Sequence, residues 1–214
     1  RGEVERPCVA DIQRALAASE PEPSRAERLP GSSAVLIAIY RGVGDAPVLL
    51  YTRRASTMRR HAGELSFPGG RIDASDEHPL AAALREAEEE VGLAARDVRV
   101  LGHLTDMTTH YGVLVSAYVG LVDGPPPEEP RSREEVDEVI PVPVEWLFDD
   151  WRYEARAHVE MPDRRVHYWQ LPGATLWGIT GELTARLLSR AWGWEPPARV
   201  RLIDDVSEFR PTST

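Results

Sequence analysis

The chain has 214 residues, a formal net charge of −10, and 42% hydrophobic and 28% charged residues. That length suits one packed core with extensions, since domains run about 100–200 residues. The acidic balance gives no bulk electrostatic reason to bind nucleic acid, and no apolar run approaches the ~20 residues that a membrane-spanning helix needs. The single cysteine, Cys8, excludes an internal disulfide framework and suits a reducing, cytoplasmic setting. Lysine is absent, so arginine supplies every basic side chain other than histidine. Arginine is also the planar, bidentate anion binder. A homo-oligomer is compatible with this composition.

Residues 1–33 read as a peripheral N-terminal extension. Within it, residues 9–18 (VADIQRALAA) fit a short helix burying Ile12, Ala15 and Leu16. The apolar length there is too small for a secretory signal. PEPSRAERLPGSS follows as a polar linker rich in turn residues. Residues 34–40 (AVLIAIY) form a continuous apolar run, consistent with a strand buried on both faces. A turn at 42–45 and a returning strand at 48–53 predict a hairpin.

Basic residues come next: Arg53, Arg54, Arg59, Arg60 and His61, ahead of Phe67-Pro68-Gly69-Gly70. Such a cluster can hold a phosphate-rich ligand, although composition alone equally describes a solvated basic loop.

Residues 69–93, GGRIDASDEHPLAAALREAEEEVGL, read as a glycine turn, a loop and one amphipathic helix. Asp76 or His78 can cap its start, Pro79 suits the first helical position, and Gly92 suits a left-handed stop. Leu80, Leu84, Ala87 and Val91 fall on one stripe. Glu86, Glu89 and Glu90 stand at i, i+3 and i+4 on the opposite side, close enough to share an ion. Like charges there repel, and they crowd the last turn, where the helix dipole favours cations. No cation lies downstream on the helix to relieve them. A divalent cation would, and clustered carboxylates suit Mg²⁺ or Mn²⁺. We therefore read this face as a metal site.

At these residues the chain resembles the Nudix family. REAEEEVGL at 85–93 matches the second half of the Nudix box, REUxEExGU with U aliphatic, Ala87 being a small occupant of the first U. The first half, Gly-x5-Glu-x7, fits with a shift. Counting back from Arg85 reaches Glu77, one residue too far from Gly70, and Asp76 stands at the expected distance from that glycine. The loop acid is therefore either Asp76 or Glu77. Upstream, TRRASTMRRHAGELSFPGG is similar to the signature that precedes the box in the coenzyme A pyrophosphatase branch. Thr52, Arg54, Ala55, Arg59, Gly63 and Phe67 to Gly70 occupy its positions, and Tyr51 replaces its second leucine.

Beyond the box, residues 98–104 and 113–122 read as strands, and GPPPEEPRSR reads as a mobile linker. The acidic run 134–138 (EEVDE) leads into VIPVPV; EWLFDD suggests a short helix, and 153–160 with 166–171 a late hairpin. A helix from about residue 176 carries Leu176, Ile179, Leu183 and Leu187 on one stripe. Trp177, Trp192 and Trp194 suit packing rather than ligand stacking.

Pattern alone implies a layered α/β domain. The resemblance implies a Nudix-type α/β/α sandwich over residues 34–194, with a mixed sheet, a loop–helix–loop catalytic motif and a tail at 195–214. It implies Mg²⁺ or Mn²⁺ held by Glu86 and Glu90, with Glu89 nearby and the Gly70 carbonyl. Glu89, Glu135 or Glu138 would accept a proton, Glu135 or Glu138 being alternatively an extra metal ligand from outside the box, and Arg85 would orient the glutamates. Arg53, Arg54, Arg59 and Arg60 would lie near substrate phosphates. The implied reaction is hydrolysis of the coenzyme A diphosphate to 3′,5′-ADP and 4′-phosphopantetheine. ADP-ribose or dinucleotide hydrolysis, a non-catalytic nucleotide-binding module and a structural interaction protein are the alternatives.

Overall fold

Side-chain alternation along the first strand sets the layers. In β1 (Ser33–Arg41), Ala34, Leu36, Ala38 and Tyr40 pack into one cluster, while Ile37 and Ile39 pack into another on the opposite face. The two-residue period of a strand requires that division. The computed structural model describes residues 7–17, 31–58, 61–109 and 111–211. Arg59, Arg60, His110 and most of the polar linker before residue 31 lie outside the described residues.

β2 (Pro47–Arg54), β3 (Leu65–Ser66), β4 (Gly69–Arg71), β5 (Val98–Thr108), β6 (Leu114–Val122) and β7 (Val136–Pro143) join β1 in one sheet. Its main path runs β3-β2-β1-β6-β5, with β4 paired to β1 and β7 paired to β2. β1 and β6 are parallel, whereas β1 is antiparallel to β2 and β4, so the sheet is mixed as expected. A second sheet, ordered β10-β9-β8-β11, is built from β8 (Tyr153–His158), β9 (Val166–Leu171), β10 (Ala174–Leu176) and β11 (Arg201–Ile203). Only its β8–β9 hairpin is legible as hydrophobic alternation; β10 and β11 are three residues each, too short to show a period.

Helix α2 (Pro79–Val91) covers the Ala34–Tyr40 face through Ala82, Ala83, Ala87 and Val91, with Leu80 and Leu84 half-buried beside them. The alanines let its backbone approach the sheet closely. Helices α1 (Val9–Ala17) and α3 (Gly178–Trp192) cover the other face, where Ile12, Leu183, Leu187 and Leu188 meet Ile39, Tyr51 and Trp169. α1 is thus part of the main core rather than peripheral: Val9 and Ile12 are fully buried. Trp192 and Trp194 pack against that core, and Trp177 stacks on Tyr168.

Three local readings change. The segment expected as a mobile linker is docked: the amides of Arg131 and Ser132 both donate to the Glu90 carbonyl, at 2.9 and 3.2 Å. These bonds satisfy a carbonyl in the last helical turn, which has no partner within the helix. EWLFDD is a 3-10 turn at Val144–Phe148. β5 runs past residue 104 to Thr108, because register shifts at Val100/Gly102 and His103/Thr105 let it keep pairing with β6. No helix among the described residues is long and apolar enough to cross a membrane.

Candidate active site

The site forms where α2 crosses the strand that carries the paired glycines. His78 caps the helix, its Nδ1 accepting from the Ala81 amide at 3.0 Å, and Pro79 occupies the first turn. Gly92 ends it at φ 73°, a left-handed conformation that costs a side-chain-bearing residue about 1–2 kcal/mol. Antiparallel pairing sets Ala34 opposite Gly70 and Val35 opposite Gly69, which fixes β4 beneath α2.

Glu90 does not lie on the solvated side of the helix. It follows Ala83 by seven residues, about 20° from it around the helix axis, and so faces the sheet, where it is only 3% exposed. Its Oε2 accepts from the Gly69 amide at 3.1 Å. Burial pushes its carboxyl up to about 8, reinforced by the charges of Glu86 and Glu135 and opposed by the Gly69 amide and Arg54. Glu86 is also raised, chiefly by burial, with Arg85 acting against the shift. A Cβ on Gly70 would stand 2.5 Å from the Glu86 carboxylate and push it aside, so glycine leaves the carboxylate where it is.

Glu135 arrives from the docked segment. Its carbonyl accepts from the Ala55 amide at 2.8 Å, and its own amide donates to the Ser132 carbonyl at 3.3 Å. Glu86, Glu90 and Glu135 each place a carboxylate oxygen within 4.8 Å of the others. This grouping differs in one member from the spacing expectation: Glu135 stands where Glu89 was expected. Glu89 is exposed and accepts from Arg85 Nη1 at 3.1 Å.

Arg85 ties the acids together. Its Nε and Nη2 donate to the two carboxylate oxygens of Asp76 at 3.1 and 3.0 Å, Nη1 donates to Glu86 and Glu89, and Nη2 also reaches the Arg71 carbonyl. The guanidinium holds the Asp76 carboxyl below the usual range. Asp76, with its side chain 5% exposed, is thus the loop acid in contact with the motif; Glu77 is exposed.

The basic residues divide. Arg53 donates to Glu138 at 3.0 Å and to the Gly173 carbonyl at 3.0 Å, so it clamps β2 to β7 and to the β9–β10 turn. Glu138 is engaged there, apart from the three-carboxylate group. Arg54 lies close enough to Glu90 to lower its pKa, and its Nε is buried with no hydrogen-bond partner among the described residues. Arg59 and Arg60 lie outside the described residues.

Three convergent carboxylates, two of them raised by burial and mutual repulsion, fit a hard divalent cation, which prefers oxygen ligands and removes the repulsion. Glycine at 69 and 70 supplies the space and one amide. Only Glu135 escaped the helical spacing argument. Its signal was the acidic run itself, which carries no three-dimensional address until the segment docks on α2.

The NUDIX domain family model matches residues 30–173. The chain is 37% identical over 156 residues to a protein named "Uncharacterized Nudix hydrolase NudL" from Yersinia pestis (strain Pestoides F), an alignment covering 72% of this chain and 77% of that one. The NudL protein of Yersinia pseudotuberculosis serotype O:1b (strain IP 31758) aligns with the same identity and coverage. The crystal structure of a MutT/nudix family protein from Enterococcus faecalis superposes with a TM-score of 0.51 at 14% identity, covering 87% of this chain and 70% of that one. That likeness is one of fold.

Proposed function

The chain belongs to the Nudix hydrolase family, and on that premise we propose that it hydrolyses the diphosphate bond of coenzyme A, releasing 3′,5′-ADP and 4′-phosphopantetheine. One observation carries the reading. The segment similar to the coenzyme A branch signature, from Thr52 to Gly70, is joined to the carboxylate group: Gly69 donates to Glu90, and the charge of Arg54 acts on the same carboxylate.

Glu86, Glu90 and Glu135 would hold Mg²⁺ or Mn²⁺, with Gly70 at their back. The ion supplies charge neutralisation at the diphosphate and acidifies water, the two obstacles to attack on an anionic phosphorus. Arg85 is a positioning residue, fixing the Glu86 and Glu89 rotamers through its planar fork. Glu89 stands outside the three-carboxylate group at the edge of the open site and takes the proton from the attacking water. Arg54, whose buried Nε has no hydrogen-bond partner among the described residues, would turn its guanidinium toward a substrate phosphate. The same reading keeps Arg59 and Arg60 as phosphate contacts and assigns Arg53 a scaffolding role.

Purified protein incubated with Mg²⁺ or Mn²⁺ and, separately, coenzyme A, ADP-ribose and NADH distinguishes the substrates when products are identified by mass. Preferential release of 3′,5′-ADP from coenzyme A supports the proposal. Preferential cleavage of ADP-ribose or NADH removes the coenzyme A assignment. Binding without turnover of any of the three removes the reaction and leaves a nucleotide-binding module.

A further inference from the structure

An open groove of about 820 Å³ runs beside the carboxylate group. Arg85, Glu88 and Glu89 of α2 form one wall, and residues 131–135 of the docked segment form the other. Glu135 belongs both to this groove and to the three-carboxylate group, so the groove leads directly from the reacting centre. The segment brings two arginines that lie outside the basic cluster at 53–60.

The backbone of the segment is anchored at Arg131 and Ser132, immediately before Arg133. The amide of Arg131 is fixed on the Glu90 carbonyl at 2.9 Å, and that of Ser132 on the same oxygen at 3.2 Å. The Arg131 guanidinium is 63% exposed, 3.8 Å from Glu88 and 3.4 Å from the Glu88 carbonyl. Arg133 is 67% exposed and pairs with Glu129, itself 75% exposed. Exposed pairs of this kind contribute about 0–1 kcal/mol and exchange readily for a better acceptor. A phosphate dianion, accepting two parallel hydrogen bonds from one guanidinium, is such an acceptor.

Charge balance narrows the ligand. Setting aside Glu135, the arginines and glutamates that line the groove are equal in number. The groove is therefore net negative while Glu135 is charged, becomes neutral once the carboxylate group is itself neutralised, and has no general attraction for anions. What distinguishes it is a segment anchored on Glu90 through the amides of residues 131 and 132, which carries Arg131 and Arg133 into the groove that Glu135 shares with the carboxylate group.

We infer that this groove takes the nucleotide half of the substrate, with Arg131 and Arg133 gripping a phosphate monoester carried beyond the scissile diphosphate. The inference rests on the proposed reaction for its substrate class: a nucleoside diphosphate ester with an extra ribose phosphate, as in coenzyme A. Pantetheine is uncharged and gains nothing from these arginines, so it leaves by the other side of the carboxylate group. Arg131 and Arg133 are then specificity residues, selecting for the extra phosphate.

The test measures equilibrium binding of 3′,5′-ADP and of 5′-AMP to the full chain in Mg²⁺, for the wild type and for a double variant, Arg131→Gln with Arg133→Gln. The wild type should bind 3′,5′-ADP at least about tenfold more tightly, the scale of one charge-assisted contact, and the variant should bring that ratio close to one. An Arg131→Lys, Arg133→Lys variant should retain part of the preference. Thermal unfolding of each variant checks that the segment still docks. Equal affinities in the wild type, or a ratio that survives in a folded Gln variant, overturns the inference. Coenzyme A turnover in the same preparations separates the two proposals. Turnover with a surviving ratio removes the arginine assignment alone, whereas no turnover with a collapsed ratio removes the reaction and keeps the groove.

Discussion

The Gly69 amide donates to Glu90 Oε2 at 3.1 Å, linking the glycine turn to a carboxylate that is 3% exposed. A buried carboxylate with one amide donor and two acidic neighbours is under-compensated. A divalent cation supplies the missing charge. Replacing Glu86 and Glu90 together by Gln should lower metal-dependent kcat by more than about a hundredfold, since even loss of a ligand's supporting partner costs 10–100-fold. The same variant should keep its fold, because Gln preserves the volume and removes the repulsion. Unchanged turnover with saturating Mg²⁺ sinks the metal-site reading.

Gly70 makes room for the Glu86 carboxylate. An added Cβ would lie 2.5 Å from the Glu86 carboxylate, so Gly70→Ala should displace the end of that flexible side chain at a cost of no more than about 1 kcal/mol in stability. Mn²⁺ titration by calorimetry should show weakened binding with little change in the unfolding midpoint. Wild-type Mn²⁺ affinity in the variant would show that Glu86 does not need this space.

The loop acid can be settled by paired substitutions. Asp76→Asn breaks a two-oxygen contact with Arg85 and should reduce kcat by about 10–100-fold as Glu86 and Glu89 lose their orientation. Glu77→Gln, on an exposed side chain, should leave kcat within about twofold and stability within about 0.5 kcal/mol. Arg85→Lys should behave like Asp76→Asn, because an ammonium cannot reproduce a fork that meets Asp76, Glu86, Glu89 and the Arg71 carbonyl together.

Away from the site, Glu182 supplies an acid-dependent contribution to stability. His167 stands 3.4 Å away and Arg186 donates at 2.9 Å, and the His167 hydrogen bond is the main cause of its lowered pKa. A carboxylate depressed in the folded state stabilises above its unfolded value of about 4.3, and that contribution is lost as pH falls through the folded value. Denaturant unfolding of Glu182→Gln should therefore fall below wild type at pH 6. The two should converge as pH drops below about 4. A gap that persists unchanged at pH 3 would assign the effect to packing instead.

The N-terminal helix tests as part of the core. Ile12 is fully buried against α3 and the sheet, so Ile12→Ala should cost about 2–5 kcal/mol in urea unfolding. A cost below about 1 kcal/mol would return α1 to a peripheral role.

Local periodicity and short-range chemistry determined a large part of this protein from the sequence alone. Helix α2, with Pro79 at its start and Gly92 at its end, follows from rules that act over a few residues. So do the strands β1, β2 and β6, and the proximity of Glu86 to Glu90, one helical turn apart. The resemblance through residues 52–93 added the family. Tertiary structure alone decided which way Glu90 points, because its burial depends on the sheet beneath α2 and on the Gly69 amide that donates to it. It alone brought Glu135 to the site, Glu138 to Arg53, and Arg131 over Glu88. Those pairings span long stretches of chain, and their free energy comes from contacts with no sequence period: two amides on one helical carbonyl, a guanidinium shared among acids. The sequence carries a three-carboxylate site as separate acidic runs, and only folding places them within 4.8 Å of one another.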